Sequence, residues 1–271
     1  MDDSDGKIAV VNHIEYWYQF VNTEEEDSPL IVLLHGFSGN RTRLQILWDH
    51  YQKKGYPILR IDLKGHGQSQ KENVKEYNLE TCAEEIIQLI DDIAINATEI
   101  DKAVIIGHSM GGMIAQWIGI KNPEFLKALI LVSTVPYLSE KFEKLTAFAS
   151  KFYPLIMRFL FKNQKKQHKE LGLEYFPEWL PDQSHLQPDT QALREYLISM
   201  NEFNVEDKLD RIKVPTLILG GEEDNFGTPK LLKIMNSKIP NSHLEIFPKS
   251  GHYPYIDHPD EFIKKINNFL D

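Results

Sequence analysis

Short apolar segments alternate with segments of helical periodicity along most of this sequence. Residues 30–34 read Leu-Ile-Val-Leu-Leu, and five consecutive apolar residues are typical of a strand that is buried on both faces. Comparable segments predict strands over residues 13–21, 57–61, 103–106, 128–132, 216–219 and 243–247. Helices are predicted over residues 42–54, 79–94, 110–121, 229–239 and 259–270. Strands that alternate with helices form a mostly parallel, twisted sheet with helices on both faces, and this α/β fold class is the one that we expect.

The alternation is interrupted once, between residues 137 and 205. This segment is rich in Phe, Tyr, Leu and Met and contains four prolines, at positions 154, 177, 181 and 188, so it predicts helices separated by breaks. We expect residues 137–205 to form a helical lid that is inserted at the edge of the sheet. Residues 1–136 and 206–271 then form the core of one α/β domain, because single domains of this class reach the length of this chain, 271 residues.

The net charge, the apolar runs and the single cysteine limit which classes of protein this chain can belong to. The formal net charge is −10, which argues against nucleic-acid binding, because phosphates need a basic surface. Residues 1–5 are acidic and lack the apolar segment of a secretory signal, and no apolar run approaches the ~20 residues of a membrane span. Cys82 alone cannot form an internal disulfide and is expected to be buried. We therefore expect a cytoplasmic protein without stable membrane insertion.

A glycine-rich turn lies where one predicted strand meets the next predicted helix. Residues 107–111 read Gly-His-Ser-Met-Gly, and this G-x-S-x-G pattern directly follows the strand 103–106 and leads into the helix 110–121. A sharp turn at this point lifts the hydroxyl of Ser109 above the sheet, and the glycines leave room for the backbone. The start of the helix also favours developing negative charge. Ser109 is therefore the predicted nucleophile.

A serine hydroxyl is a weak nucleophile and needs a general base, which an acid orients. In α/β folds with such a nucleophile turn, the chain order is Ser, then Asp or Glu, then His. Three histidines lie far enough downstream, at positions 243, 252 and 258. His252 lies in the loop after the strand 243–247, and ligands meet an open α/β sheet at the carboxyl ends of its strands. His252 is therefore the predicted base, ahead of the other two.

The predicted acid follows the strand 216–219. Residues 222–224 read Glu-Glu-Asp, whereas residues 133–136, after the strand 128–132, contain no acid. Asp224 is the predicted acid and Glu223 is the alternative, while Glu222 is expected to be a solvated residue of the turn.

Acyl transfer also needs two N–H donors directed at the position where the carbonyl oxygen becomes negative. One predicted donor is the N–H of Met110, the residue after the nucleophile, and the other is the N–H of Phe37, in the loop after the strand 30–34. Gly36 allows the backbone to approach the site closely. His35 is expected to brace the loop by hydrogen bonds.

The lid is expected to cover an apolar acyl pocket, because such pockets are mostly apolar with few polar groups. The residues predicted to contact the substrate are Phe37, His108, Phe152 and Met157. The histidines are scattered without the spacing of metal ligands, so we expect no metal and no other cofactor. The expected partner is a small-molecule substrate, and a homodimer is left open.

Four segments, in order along the chain, resemble the α/β-hydrolase superfamily. They are His-Gly-Phe at 35–37, Asp-Leu-Lys-Gly-His-Gly-Gln-Ser at 62–69, the turn at 107–111, and Gly221 and Asp224 with the distal Gly251-His252. The resemblance covers nearly the whole chain apart from the lid, where these proteins vary most. Lys64 stands where the superfamily usually has Arg or Pro, and we interpret this change as minor, because that loop braces the site.

The resemblance implies a serine hydrolase of the esterase and lipase type, whereas the similar haloalkane dehalogenases and epoxide hydrolases carry aspartate in place of Ser109. We expect it to cleave carboxylic esters of small to medium apolar acyl groups through an acyl-enzyme. Esterases, monoglyceride lipases, lactonases, perhydrolases and C–C bond hydrolases share these motifs, so C–C bond or thioester hydrolysis on the same triad is an alternative. A further alternative is a ligand-binding protein of this fold that turns over its ligand very slowly.

Overall fold

An eight-stranded, mostly parallel sheet forms the centre of the described part of the chain, which in this computed structural model comprises residues 6–22, 28–138, 140, 142, 144 and 188–271. The strands are β1 (Lys7–Val11), β2 (Ile14–Val21), β3 (Leu30–Leu34), β4 (Ile58–Ile61), β5 (Ala103–His108), β6 (Leu126–Val132), β7 (Thr216–Gly221) and β8 (Ser242–Phe247). Their order in the sheet is β1-β2-β4-β3-β5-β6-β7-β8. The β1–β2 and β2–β4 pairs are antiparallel, and every other neighbouring pair of this sheet is parallel.

Helices pack on both faces of this sheet. They are α1 (Gln45–Lys53), α2 (Leu79–Ile90), α3 (Met110–Lys121), α4 (Thr190–Glu202), α5 (Pro229–Lys238), α6 (Pro254–Asp257) and α7 (Pro259–Leu270). Apolar side chains of α2, α3 and α5 belong to the core on one face, and those of α1 and α7 belong to the core on the other. Among the helices in the described ranges, none is both long enough and apolar enough to cross a membrane.

The side chains of β3 divide between the two cores. Leu30, Val32 and Leu34 lie in the first core, and Ile31 and Leu33 lie in the second. Successive side chains of a strand point to opposite faces of the sheet, so a strand that is covered on both faces needs an apolar residue at every position. This two-sided burial accounts for the uninterrupted apolar run in the sequence.

The sheet and its helices confirm the fold class predicted from the sequence, although some element boundaries differ. The sequence analysis missed β1, an edge strand whose Ile8 and Val10 are 59% and 61% exposed, so it lacks the pattern of a buried strand. The helix predicted over 79–94 is α-helical only through α2 and continues as a π-helical turn, Asp91–Ile95. The helix predicted from residue 42 begins as a short 3-10 helix, Arg41–Leu44.

The two ends of the predicted lid meet just beyond β6. Tyr137 and Asn204 form an isolated antiparallel bridge, and the N–H of Val205 donates to the carbonyl of Pro136 at 2.9 Å. These contacts agree with an insertion between β6 and β7, and α4 lies within it. Residues 145–187, most of the insertion, lie outside the described part of the chain, so the predicted domain boundaries stay predictions.

The carboxyl ends of the parallel strands lie along one edge of the sheet. β5 leads into Ser109, β7 leads into the loop of Asp224, and β8 leads into the loop of His252. The loop that begins at His35 follows β3 at the same edge. Parallel sheets bind ligands at this edge, and the fold brings the predicted site residues to it from distant parts of the chain.

Candidate active site

Ser109 occupies a sharp turn between β5 and α3. Its backbone angles are φ 54° and ψ −117°, and a non-glycine residue in such a conformation carries about 1–3 kcal/mol of strain. Two hydrogen bonds join this turn to β6 and the residues that follow it. The N–H of Ser109 donates to the carbonyl of Val132 at 2.9 Å, and the hydroxyl of Thr134 donates to the carbonyl of Ser109 at 2.8 Å. The end of β6 and the residues after it therefore stabilise the strained turn.

Gly111 shows why the turn needs glycine. A Cβ atom at this position would lie 2.4 Å from the carbonyl oxygen of Leu34 and 2.6 Å from that of His35, far inside van der Waals contact. Without a side chain here, α3 can begin directly against the end of β3. The first turn of α3 and the loop after β3 are therefore in contact beside the serine.

His252 and Asp224 form a hydrogen-bonded pair. Nδ1 of His252 lies 2.8 Å from Oδ2 of Asp224, and the two side chains are 24% and 1% exposed. Because an ionised carboxylate only accepts hydrogen bonds, Nδ1 of the neutral imidazole carries the proton. The lone pair is then on Nε2, which is the tautomer that a general base needs.

The loop after β7 fixes both members of this pair. The second oxygen of Asp224 accepts a hydrogen bond from the N–H of Phe226 at 2.8 Å. The ring of Phe226 meets the ring of His252 edge to face, with 5.5 Å between their centroids. Glu222 and Glu223, the other acids of this loop, are exposed. The structure therefore brings Asp224, and not the alternative Glu223, to the histidine.

The other two downstream histidines have different partners. Nε2 of His243 lies 2.9 Å from Oε1 of Glu245 in β8. Nε2 of His258 donates to the carbonyl of Pro248 at 2.8 Å. Of the three histidines considered in the sequence, His252 is the one that the fold pairs with the acid.

Asp257, in α6, holds the loop that carries His252. Its Oδ2 accepts hydrogen bonds from the hydroxyl of Ser250 at 2.8 Å and from the N–H of Gly251 at 3.1 Å. The sequence analysis did not identify Asp257. Its contribution depends on α6, a single helical turn whose main signal in the sequence is Pro254 at the first helical position.

The predicted oxyanion donors lie on two backbone segments that meet at Ser109. Met110 is the first residue of α3, and the first N–H groups of a helix have no carbonyl of their own helix to bind. A Cβ atom at Gly36 would lie 3.1 Å from the Cβ of Ser109, so the backbone that leads into Phe37 runs directly beside the serine. This geometry is compatible with the N–H groups of Phe37 and Met110 as the two donors. Their role in binding an oxyanion stays a prediction.

His35 braces the loop after β3, as the sequence predicts. Its Nε2 accepts a hydrogen bond from the N–H of Leu63 at 3.0 Å, and its Nδ1 donates to the carbonyl of Gly36 at 2.9 Å. Burial lowers the pKa of His35 to about 4, so the ring is neutral near pH 7. Both ring nitrogens are engaged, and His35 is a structural group of the loop.

A buried ion pair joins this loop to the loop after β4. The backbone N–H of Arg41 and its Nη1 each donate to a carboxylate oxygen of Asp62 at 2.7 Å, and the N–H of Gln68 donates to the same carboxylate at 2.9 Å. The guanidinium also lies 3.8 Å from the ring centroid of Trp17. Removing one partner of a buried ion pair is strongly destabilising, so the two loops support each other.

Lys64, which departs from the superfamily pattern, is buried in a second ion pair. Its Nζ lies 2.8 Å from Oε2 of Glu85 in α2, and the hydroxyl of Tyr16 donates to the same oxygen. The carbonyl of Lys64 accepts a hydrogen bond from the hydroxyl of Tyr196 in α4 at 3.2 Å. The lysine therefore belongs to the packing that holds α4 on the core.

The predicted substrate-binding residues have different positions. Phe37 packs against Leu193 and Leu197 of α4 in a small apolar cluster. His108 is 2% exposed and bonds the backbone of the His252 loop. The remaining two, Phe152 and Met157, lie outside the described residues. The contact of all four with substrate stays a prediction.

Comparisons with known proteins found similarity to a protein family and to individual proteins. The model of the family described as serine aminopeptidase, S33, matches residues 25–258. The chain is 26% identical to a pimeloyl-acyl-carrier-protein methyl ester esterase of Aeromonas hydrophila, over 89% of this chain and 95% of that protein. It is 28% identical to a proline iminopeptidase of Clostridioides difficile, over 94% of each chain. Among solved structures, MenH from S. aureus is similar, with a TM-score of 0.73 and 27% identity over 93% of this chain and 97% of that one.

Proposed function

The chain belongs to the serine aminopeptidase S33 family of α/β-hydrolases, and on this premise we propose that it cleaves carboxylic esters through a covalent acyl-enzyme on Ser109. The observation that carries the proposal is the 2.8 Å hydrogen bond between His252 and Asp224. This pair leaves a basic Nε2 at the edge of the sheet where a strained turn presents the serine. A nucleophile, a base and an orienting acid together are the requirements of acyl transfer.

In the first half of the reaction, Oγ of Ser109 forms a bond to the carbonyl carbon of the ester, and its proton passes to Nε2 of His252. The electron pair of the carbonyl moves to its oxygen, where the N–H groups of Phe37 and Met110 bind it. One such donor contributes about 3–4 kcal/mol to the transition state. Asp224 stays ionised, keeps the imidazole in the right tautomer and stabilises the imidazolium.

In the second half, the bond to the alcohol oxygen breaks, and the alcohol takes the proton from Nε2 of His252. Water then attacks the acyl-enzyme and gives a proton to the same nitrogen. Collapse of the second tetrahedral intermediate returns this proton to Ser109 and releases the acid. One ester and one water are consumed, and one alcohol and one carboxylic acid are formed.

The apolar cluster of Phe37, Leu193 and Leu197 supports a substrate with an apolar acyl group. The cluster joins α4 to the loop that carries a proposed oxyanion donor, and small-molecule pockets are mostly lined by apolar side chains. The esterase activity in the name of the Aeromonas relative supports an ester as the reacting group.

Amide hydrolysis at an N-terminal residue is a second candidate, supported by the description of the family and by the proline iminopeptidase relative. Such a substrate carries a positively charged α-ammonium group, and a binding site needs an acceptor for it. Among the described residues, the cluster of Phe37, Leu193 and Leu197 is apolar and suits an acyl group better than an ammonium group, which favours the ester.

The test is hydrolysis of a p-nitrophenyl ester series, from acetate to palmitate, by the wild type and by Ser109→Ala, with proline p-nitroanilide as the amide substrate. We expect turnover that peaks at one acyl length and falls by about 10⁶-fold in the variant. Faster cleavage of the anilide than of every ester would favour the aminopeptidase.

A fluorophosphonate, which labels activated serines, separates the remaining outcomes. Labelling of Ser109 without turnover of any ester would favour the C–C bond, thioester or ligand-binding alternatives over ester hydrolysis. Ester turnover that survives in Ser109→Ala would remove the serine from its role.

A further inference from the structure

His108, the last residue of β5, contacts the loop of the base across a sequence separation of 144 residues. Its Nε2 lies 3.0 Å from the main-chain carbonyl oxygen of His252. A carbonyl oxygen only accepts hydrogen bonds, so Nε2 carries the proton and Nδ1 of the neutral ring does not. The residue directly before the nucleophile thus donates a hydrogen bond to the backbone of the proposed base.

The ring of His108 is enclosed on its other sides. Its centroid lies 4.9 Å from that of His252, 5.3 Å from that of Tyr253 and 5.2 Å from that of Tyr255. A Cβ atom at Gly36 would lie 3.0 Å from Nδ1 of His108. The ring therefore fills the space between the loop of the base and the loop of the oxyanion donor.

Nδ1 of His108 is buried, and within the described ranges no donor lies at hydrogen-bonding distance from it. A neutral imidazole has one N–H, and because Nε2 carries it, Nδ1 can only accept a hydrogen bond. Burial, and then the proximity of His252, lower the pKa of His108 well below its usual value. The ring is therefore neutral near pH 7 and places no second positive charge beside the imidazolium that forms on His252.

We propose that His108 is a positioning residue for His252: its Nε2–H bond to the carbonyl of His252 and its packing between two loops set the distance from the base to Ser109. The inference rests on the proposed function, since it gives His252 the role of base. It assigns to His108 a structural link between nucleophile and base in place of contact with substrate. A displacement of about 1 Å at a reacting group can cost about 100-fold in rate, so the loss of this link should reduce kcat.

Two variants separate the hydrogen bond from the packing. His108→Phe keeps an aromatic ring and removes the donor, whereas His108→Gln keeps an N–H donor near the position of Nε2. The measurements are kcat and KM on the best p-nitrophenyl ester, the second-order rate of fluorophosphonate labelling at Ser109, and the melting temperature.

We expect kcat of His108→Phe to fall by about 10- to 100-fold, with KM nearly unchanged and labelling slowed by the same factor. His108→Gln should recover most of this loss, and both variants should melt within a few degrees of the wild type. A folded His108→Phe protein with wild-type kcat and labelling rate would overturn the proposal. Equal losses of kcat and labelling rate in both variants, accompanied by lower melting temperatures, would also overturn it. They would indicate that His108 contributes only to packing.

The labelling rate keeps this test independent of the substrate. If no ester is turned over but Ser109 is labelled, the proposed ester hydrolysis fails, and slower labelling in His108→Phe than in His108→Gln still supports the positioning role.

A spectroscopic measurement on the wild type needs no active variant. The ¹⁵N imidazole signals of His108, assigned by their loss in His108→Gln, should report the neutral Nε2–H tautomer near pH 7. The Nδ1–H tautomer would overturn the proposal.

Discussion

At the residue scale, the environment gives one of four histidines near the carboxyl edge of the sheet a role that differs from that of the other three. Burial lowers the pKa of His35 to about 4 and that of His66 to about 3, and it lowers the pKa of His108 well below its usual value. These three rings are neutral near pH 7 and act as fixed hydrogen-bonding groups. His252 differs from them, since it is partly exposed and its Nδ1 is paired with Asp224.

The pairing of His252 with Asp224 leads to a prediction for the acid. Asp224→Asn preserves the shape of the side chain but removes the charge that stabilises the imidazolium, and its amide can favour the wrong tautomer. We expect kcat to fall by about 10⁴-fold, with the fold retained. Steady-state kinetics on a p-nitrophenyl ester and a melting curve measure the two effects.

Glu223→Gln is the matched control, because it makes the same charge change on the neighbouring, exposed residue. Its activity should stay within about twofold of the wild type. If Glu223→Gln were the inactive protein and Asp224→Asn the active one, the assignment of the acid would be wrong.

Residue chemistry and its order along the chain were enough to predict Ser109, Asp224 and His252 as a set, which the structure brings to one edge of the sheet. The contacts of His108 and Asp257 could not be predicted in this way. The first joins residues 144 positions apart, and the second depends on a single helical turn after the base. Neither has a periodicity or a motif in the sequence, because both arise from the packing of loops.

At the scale of elements, α4 connects the core to the loop of the proposed oxyanion donor. One side of α4 bonds the core, where its Tyr196 donates to the carbonyl of Lys64 and its Ser199 accepts from the N–H of Leu79. Its Leu193 and Leu197 contact Phe37. This helix can therefore form one wall of an acyl pocket while it remains attached to the core.

A smaller side chain on that wall should change the acyl preference. In Leu193→Ala, the space that is opened beside Phe37 should accommodate longer acyl groups, and one methylene in an apolar pocket changes specificity by about 10-fold or more. We expect the ratio of kcat/KM for a longer ester to that for a shorter one to rise by about 10-fold. This ratio does not depend on the folded fraction, so it remains informative if the variant is less stable.

Arg194→Ala is the control for this experiment, since it alters the exposed neighbour on the same helix. It should leave the ratio unchanged. An unchanged ratio in Leu193→Ala as well would show that α4 does not border the acyl pocket.

The elements themselves were largely predictable, because strands that are buried on both faces and amphipathic helices have strong patterns. The sequence placed α3 and α7 with the same bounds as the structure, Met110–Lys121 and Pro259–Leu270. It missed β1, whose Ile8 and Val10 are exposed, since an edge strand lacks the burial that produces a recognisable pattern. It also placed the end of α2 too late, because apolar spacing continues through the π-helical turn Asp91–Ile95.

At the scale of the whole molecule, the buried histidines link stability to pH. His66 has a pKa of about 3 in the folded protein, mainly through burial and then through the proximity of His35, against an ordinary value of 6.5. Between these two values the unfolded chain binds a proton that the folded chain does not bind, so stability falls as the pH falls. From about pH 7 to about pH 5, His66 alone should account for a loss of about 2 kcal/mol in the free energy of unfolding.

Urea unfolding at these two pH values measures this linkage. His66→Gln should lose about 2 kcal/mol less stability than the wild type on acidification, whatever its stability at the higher pH. His13→Gln makes the same change at an exposed histidine. Its loss of stability between the two pH values should equal that of the wild type. Equal losses in all three proteins would mean that His66 is protonated in the folded state.

The central claim, that Ser109 carries the acyl group during ester hydrolysis, is tested most directly by trapping the intermediate. The wild type is mixed with its best p-nitrophenyl ester, quenched in acid within the first turnovers and examined by peptide mass spectrometry. The account predicts that the peptide containing residues 107–111 gains the mass of the acyl group on Ser109, and that Ser109→Ala shows neither the adduct nor turnover. An adduct on another residue, or turnover that persists in Ser109→Ala, would contradict it.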